Sequence, residues 1–507
     1  MRSRLRPFRI GLEPPLEVAM SHDRPVPLPA SGIDRRRALG TLAAAAAGVA
    51  LSARGAALPK VAVIGGGMAG VACAWLLDGT HDVTLFEARA SIGGNVRTVP
   101  ITVGADTWFV DMGAQFFHPG PYPAYVELLG QLGLYPPGAG PSHSFTASIT
   151  LDVAGDATPR FVSPVLPGRA WPLAAPFNRA GIEAFNVAFD AAQRREQLDA
   201  PWSLTLGEWL PTLGLSSEQW EGMILPWAAS LYSGGVEQAR GLSARSAMVF
   251  AARALPDNPL DPLLYFVLDN GLIDALERMA AQFTTVAVHT AAPVSAVIRQ
   301  PGGGFVVTPA GGPPVIVDDV VFAASGEPTL ALLAGVSGSA RQRAALQGIE
   351  FHDARLMLHA DPVYAASSPV LRSFFNARIE GGFCEASMSL AEVLPASAGS
   401  SAPPAWWKSW VTHRNALPQQ VLHDVTYRHL LPTPASLSAQ KRLQARQGDG
   451  HVWFAGGYLH PFDAQETALI SAIDVAAGLG AASSSRWRAL SAARALKTPT
   501  STRRRSP

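Results

Sequence analysis

The run Lys60-Val61-Ala62-Val63-Ile64 stops at Gly65-Gly66-Gly67-Met68-Ala69-Gly70, and no other stretch restricts the fold as much. A strand-like segment, a glycine turn, a helical stretch from Val71 to Leu77 and a second strand at His81 to Glu87 make a strand–turn–helix–strand unit. In that setting Gly65 permits the tight turn, Gly67 lets the main chain approach a pyrophosphate, and Gly70 lets the helix pack closely on the strand. Met68, Ala69 and Gly70 open the helix, whose unpaired N–H groups and positive dipole end favour phosphate. Glu87 ends the second strand 17 residues past Gly70, where a carboxylate can accept from both ribose hydroxyls of an adenosine. The same charge repels a 2′-phosphate, which argues against NADP.

The rest of the chain is consistent with a large α/β protein. Its 507 residues are 48% apolar and 16% charged, which excludes collagen-like, coiled-coil and wholly disordered chains. Cys73 and Cys384 are the only cysteines, so neither a disulfide framework nor a Cys-based metal site is available. No His-x-x-x-His helix, zinc spacing or serine nucleophile elbow stands out, and no metal is expected.

Beyond Glu87 the motifs become more particular. Ala88-Arg89 leads to Gly93-Gly94-Asn95-Val96-Arg97-Thr98, and Phe109-Val110-Asp111-Met112-Gly113-Ala114-Gln115 is a further strand ending in an acid and a glycine. Near the other end, Val452-Trp453-Phe454-Ala455-Gly456-Gly457-Tyr458 breaks at two glycines, and Gln465-Glu466-Thr467-Ala468 opens a helix. This succession resembles the flavin-containing amine oxidase superfamily, and within it a bacterial branch of FAD-binding oxidoreductases. Asn95 stands where the family's Gly-Gly-Arg box has Arg, with Arg97 close by. The resemblance implies a doubly wound FAD-binding domain from 58–118, 265–330 and 445–482, with an inserted α+β substrate domain from 119–264 and 331–444. It implies non-covalent FAD, with Val294 beside the adenine and the start of the Gln465 helix at the flavin's pyrimidine edge. There a helix N-terminus stabilises the anionic reduced ring.

The resemblance also implies chemistry: hydride passes from a substrate C–H to the flavin, with dioxygen or another acceptor taking the electrons. The substrate is a small amine or apolar molecule. A desaturase or double-bond isomerase of an unsaturated lipid or isoprenoid, and a flavin-binding protein without turnover, stay open as alternatives. Amine oxidases of the superfamily commonly keep a Lys that holds a water at the flavin. Of the four lysines only Lys408, in Ala405-Trp406-Trp407-Lys408-Ser409-Trp410, lies in a plausible cavity-lining segment; the other reading is a solvent-facing Lys on a strand whose alternate aromatics pack inward. Gln115, His118 and His460 are further candidate catalytic groups. Trp406, Trp407, Tyr458 and Phe462 are candidates for an aromatic wall against flavin and substrate.

Residues 1–57 read as an address. Asp34-Arg35-Arg36-Arg37 precedes an Ala-rich run to Leu51 and small residues at Gly55-Ala56-Ala57, which resembles a leader for the twin-arginine export machinery. No later run reaches the ~18 apolar residues of a membrane span, so a periplasmic or secreted protein is expected. The Ser-, Arg- and Ala-rich end, 483–507, is expected to be a disordered basic tail. The net charge of +1 conceals a cancellation: nine Arg against four acids in 1–57 and seven basic residues in 483–507 leave 24 basic and 35 acidic residues between them. An acidic body gives no reason to expect nucleic acid as a partner.

Overall fold

The computed structural model describes residues 57–163, 175–232, 234–254, 263–395 and 403–495. The leader, nearly all of the expected loop at 396–404, and Arg503 to Arg505 lie outside the described residues.

Five parallel strands form the sheet that begins with the glycine motif. Across it run Val286–His289, Asp82–Phe86, Lys60–Ile64, Asp319–Phe322 and Val452–Phe454. In chain order this is 3-2-1-4-5, the doubly wound arrangement, with its crevice between the first strand and Asp319–Phe322. Alternation divides the sheet's side chains. Val61 and Val63 pack under the helices Met68–Leu77 and Gln465–Gly478, whereas Ala62 and Ile64 pack toward Val297, Phe305 and Val307 of an antiparallel three-stranded sheet. The apolar run from Val315 to Ala324 is divided. Val315–Val317 completes the antiparallel sheet and Asp319–Phe322 enters the parallel one.

A second, seven-stranded sheet is mostly antiparallel, in the order Val421–Leu431, Glu350–His359, Trp407–Trp410, Phe383–Ser389, Phe375–Glu380, Ile149–Val153, Phe161–Val162. Cys384 and Ala386 on one face pack against the helices Arg179–Gln197 and Leu225–Leu231. The same face continues through Met388 to Lys408, its cross-strand neighbour.

The first part of the expected tail is folded. Ser485–Ala495 is a helix, fixed by bonds that only the folded chain can supply: Trp487 Nε1 donates to Ile473 O at 2.8 Å and Arg486 Nη1 to Trp75 O at 3.0 Å. Among the described residues no helix is long and apolar enough to cross a membrane.

Candidate functional site

The glycine turn is built as its spacing demands. Gly65 has φ +116°, and a Cβ on Gly70 would lie 1.8 Å from Gly65 O, so helix and turn touch main chain to main chain. The amides of Met68, Ala69 and Gly70 are buried, lie too early to bond within their helix, and have no main-chain partner among the described residues. Glu87 is buried at the end of its strand, where Oε2 accepts from Gly66 N at 2.7 Å and Oε1 from Arg89 N at 2.8 Å. One lone pair on each oxygen stays available for a ribose. Ala88 and Arg89 are exposed, and Arg89 Nη1 donates to Gly94 O at 3.0 Å. Gly93 and Gly94 adopt φ +144° and +59°, and a Cβ on Gly94 would stand 2.8 Å from the Gly67 Cα. Val294 belongs to the three-stranded sheet, half-buried against the core that includes Ile64 and Phe86.

The Asp111–Gln115 segment leaves the strand Asp106–Asp111 and runs past Asn95. Ala114 N donates to Asn95 O at 3.1 Å, and a Cβ on Gly113 would meet that oxygen at 2.0 Å and Tyr427 Cζ at 3.2 Å. The Asn95 side chain takes no part in these contacts; its main chain does the work. Gln115 Nε2 and Tyr427 Oη are buried in this region without a partner among the described residues. Arg97 lies within electrostatic reach of Tyr427.

Lys408 is fully buried, which overturns the solvent-facing reading. Its Nζ donates to the main-chain oxygen of Asp111 at 2.6 Å, while the Asp111 carboxylate turns away to Thr98 Oγ1 at 2.5 Å and Leu272 N at 3.0 Å. Burial pulls the Lys408 ammonium down to about 7 against the opposing pull of Asp111, and burial pushes the Asp111 carboxyl up. Trp406, Lys408 and Trp410 share one face of the sheet, and Trp407 lies on the other, opposite His359. Trp407 is thus not part of the site's wall. Trp406 joins a buried group with Trp108, Met388 and Phe374. Nearby, Phe116 is ringed by Tyr265, Phe374 and Phe145 at centroid separations of 4.8, 5.8 and 6.1 Å.

His118 joins this aromatic group, whereas His460 and Tyr458 fall elsewhere. His118 Nδ1 accepts from Gly120 N at 3.0 Å, its ring stands edge-on to Tyr265, and burial pulls it down to about 4. Such a ring is uncharged at neutral pH. His460 is pulled to about 4 in the same way; the charges that act on it are Asp474 and Arg494 of the two C-terminal helices, which separates it from the Lys408 group. Tyr458 packs into the core beneath the parallel sheet, against Phe351 and the space beside Gly456, so core packing accounts for its ring. Phe462 meets Phe250 edge-on at 5.5 Å beneath the Arg253 guanidinium.

The Gln465–Gly478 helix starts with amides at Gln465, Glu466 and Thr467 that have no main-chain partner among the described residues. Thr467 Oγ1 accepts from Ala464 N and donates to Phe462 O, pinning the approach, and Ala468 N already bonds Ala464 O. Glu466 turns back, accepting from Ala124 N at 3.1 Å and Tyr125 N at 2.7 Å at the start of the Pro123–Gln131 helix; burial pushes it up to about 7. The residues fit FAD: a phosphate cradle at Met68–Gly70, a ribose acceptor at Glu87, unpaired donors at Gln115 and Tyr427, and a second helix start at Gln465. Sequence reading missed Tyr427. Its signal was the alternation His423, Val425, Tyr427, His429 along an edge strand, which puts Tyr427 against Gly113 and His423 and Tyr427 within reach of the Arg97 charge.

The family model for flavin-containing amine oxidoreductases matches residues 68–345, more than half of the chain. No curated protein shows a significant sequence match. Among solved structures, putrescine oxidase bound to putrescine superposes with a TM-score of 0.58 at 16% identity, over 83% of this chain and 99% of that one. A conjugated-linoleic-acid-producing fatty acid isomerase from P. acnes does so with a TM-score of 0.58 at 13% identity, over 83% and 99%. A protein from Exiguobacterium sp. 255-15, provisionally named protoporphyrinogen oxidase, has a TM-score of 0.58 at 14% identity, over 84% and 99%. At these identities the structural matches speak for the fold.

Proposed function

The chain belongs to the flavin-containing amine oxidoreductase family and is an FAD-dependent oxidoreductase, and we propose that it oxidises an amine at the carbon next to nitrogen. One observation supports this most: the buried Lys408 amine, held by Asp111 O on the face that meets the Gly113 segment. FAD, when bound, supplies the hydride acceptor and returns the electrons to dioxygen. A protonated amine has no lone pair to assist loss of hydride from the neighbouring carbon, so the substrate must first give up a proton. Lys408 Nζ, pulled toward neutrality by burial, can hold that proton directly or through a water. Asp111 O takes one of its hydrogens and so orients the remaining positions. Trp406 and the rings around Phe116 exclude bulk water and so strengthen every charge interaction there.

A second reading, desaturation or double-bond isomerisation of an unsaturated lipid, is favoured by the aromatic lining around Phe116. Anaerobic addition of amines separates the two. Amine oxidation bleaches the flavin and gives peroxide when air returns, whereas isomerisation moves a double bond without consuming oxygen. Export through the twin-arginine machinery belongs to the same proposal; fusing residues 1–57 to a reporter and blocking that machinery tests it.

A further inference from the structure

Val421–Leu431 is the outermost strand of the seven-stranded sheet and, at 11 residues, its longest. It pairs with Glu350–His359 on one side, in unbroken antiparallel register from Leu431 to His423. No main-chain bond joins residues 421–430 to any described residue outside that pair. Half of the N–H and C=O groups of an antiparallel edge strand point away from its partner, so this edge is a template for one more strand. Pro, Lys or a bulge commonly protects such an edge. This strand has neither Pro nor Lys, and its one register shift lies at the Val421 end. At that same end Leu417, Val421 and Leu422 are 41%, 40% and 42% exposed.

The charges indicate what the edge meets. Leu422, Asp424, Thr426 and Arg428 share one exposed face of the strand. Asp424 and Arg428 are its only acid and its only arginine, and each stands two residues from Thr426. A two-fold axis through Thr426 therefore sets Asp424 of one chain opposite Arg428 of the other, twice over. No other antiparallel register of this strand with itself does so. The partners of these charges within the chain include residues of the inner strand: Arg355 Nη2 donates to Asp424 Oδ2 at 2.7 Å, and Arg428 Nη1 donates to Asp353 Oδ1 at 3.1 Å. Arg428 Nη2 also donates to Glu327 Oε1 at 3.0 Å. Across the axis the row alternates in sign, Asp353 and Arg428 of one copy followed by Asp424 and Arg355 of the next. Opposite charges directly across two strands stabilise the pair. We propose that the Val421–Leu431 edge binds a second copy of this chain, antiparallel to itself about Thr426, and joins the two seven-stranded sheets into one. The same axis lays the exposed Val421 and Leu422 of each copy beside Leu431 and Leu430 of the other.

Sedimentation velocity of the full-length holoprotein over a dilution series should show wild type passing from dimer to monomer. Arg428→Asp replaces two attractive pairs by two repulsive ones and should raise the dimer Kd about 10-fold or more. Adding Asp424→Arg reverses both signs and should restore the dimer. Thr426→Lys, at an exposed position on the axis, sets two ammonium groups face to face and should weaken the dimer while the flavin content stays unchanged. Thr426→Cys tests the axis itself. Residues directly opposite in an antiparallel pair have Cα atoms about 4.5–5.5 Å apart, within disulfide reach, and Cys73 and Cys384 are buried. Diamide, which takes up the two thiol hydrogens, should therefore cross-link Thr426→Cys into a covalent dimer and leave Leu198→Cys, 79% exposed elsewhere on the chain, uncoupled at the same protein concentration. Wild type that stays monomeric at every concentration would overturn the proposal. So would a dimer whose Kd neither Arg428→Asp nor Thr426→Lys raises, a doubly reversed variant that dissociates like Arg428→Asp, or equal cross-linking of the two cysteine variants.

Discussion

Lys408 Nζ reaches the main-chain oxygen of Asp111 at 2.6 Å, and the two residues are 297 positions apart in the chain. The bond ties the seven-stranded sheet to the segment that runs on through Gly113. It also buries an amine whose proton is held loosely, because desolvation penalises the charged form.

Replacing this amine tests its role in two ways. Lys408→Met should lower kcat for an amine by about 100-fold, within the range general-base groups contribute, and remove the rise of kcat/KM with pH near 7. Stability should respond with a definite sign. The folded-state value lies below the ordinary lysine value, so the unfolded chain binds more protons between about 7 and 10.4, and wild-type stability rises with pH through that window. Melting curves of Lys408→Met across that window should lose this slope.

Glu466 has the opposite sign. Burial raises its carboxyl to about 7 from an ordinary 4.5, so the folded state binds the extra proton and stability falls as pH rises through that interval. Glu466→Gln keeps one acceptor for the Ala124 and Tyr125 amides and should flatten the decline. Chemical denaturation at pH 5 and pH 8 measures the difference.

Gly70→Ala would put a methyl carbon 1.8 Å from Gly65 O. Helix and turn must then separate, at a cost of about 3 kcal/mol or more, and FAD should be lost on gel filtration. Gly130→Ala is the control, since nothing lies within 4 Å of a Cβ there; it should keep its flavin.

Trp406 and Trp407 are adjacent and buried but face opposite sides of the sheet. Alanine at either should cost about 3–5 kcal/mol of stability. Only Trp406→Ala should also raise the KM for substrate, which steady-state kinetics on the two folded variants would reveal.

The nucleotide half of the fold was legible because its determinants are local. The strand, the glycines, the helix and Glu87 lie within thirty residues of one another, and Gly65 and Gly70 each answer to a main-chain approach that a side chain would block. The substrate side was less so. Period-2 alternation puts Trp406 and Lys408 on one face and Trp407 on the other, but which face is covered depends on Asp111, far away in the chain. The helix Ser485–Ala495 was unreadable for the same reason: its Arg- and Ala-rich sequence resembles a solvated tail until Ile473, Trp75 and Asp474 supply partners.

Anaerobic titration of the purified holoprotein with a panel of primary and secondary amines, followed in the flavin's visible band, tests the central claim most directly. Amine oxidation predicts complete bleaching by at least one amine in wild type, bleaching slowed about 100-fold in Lys408→Met, and recovery of the band with peroxide release when air is admitted. A flavin that stays oxidised with every amine, while an unsaturated fatty acid is converted in the same cuvette, would contradict it.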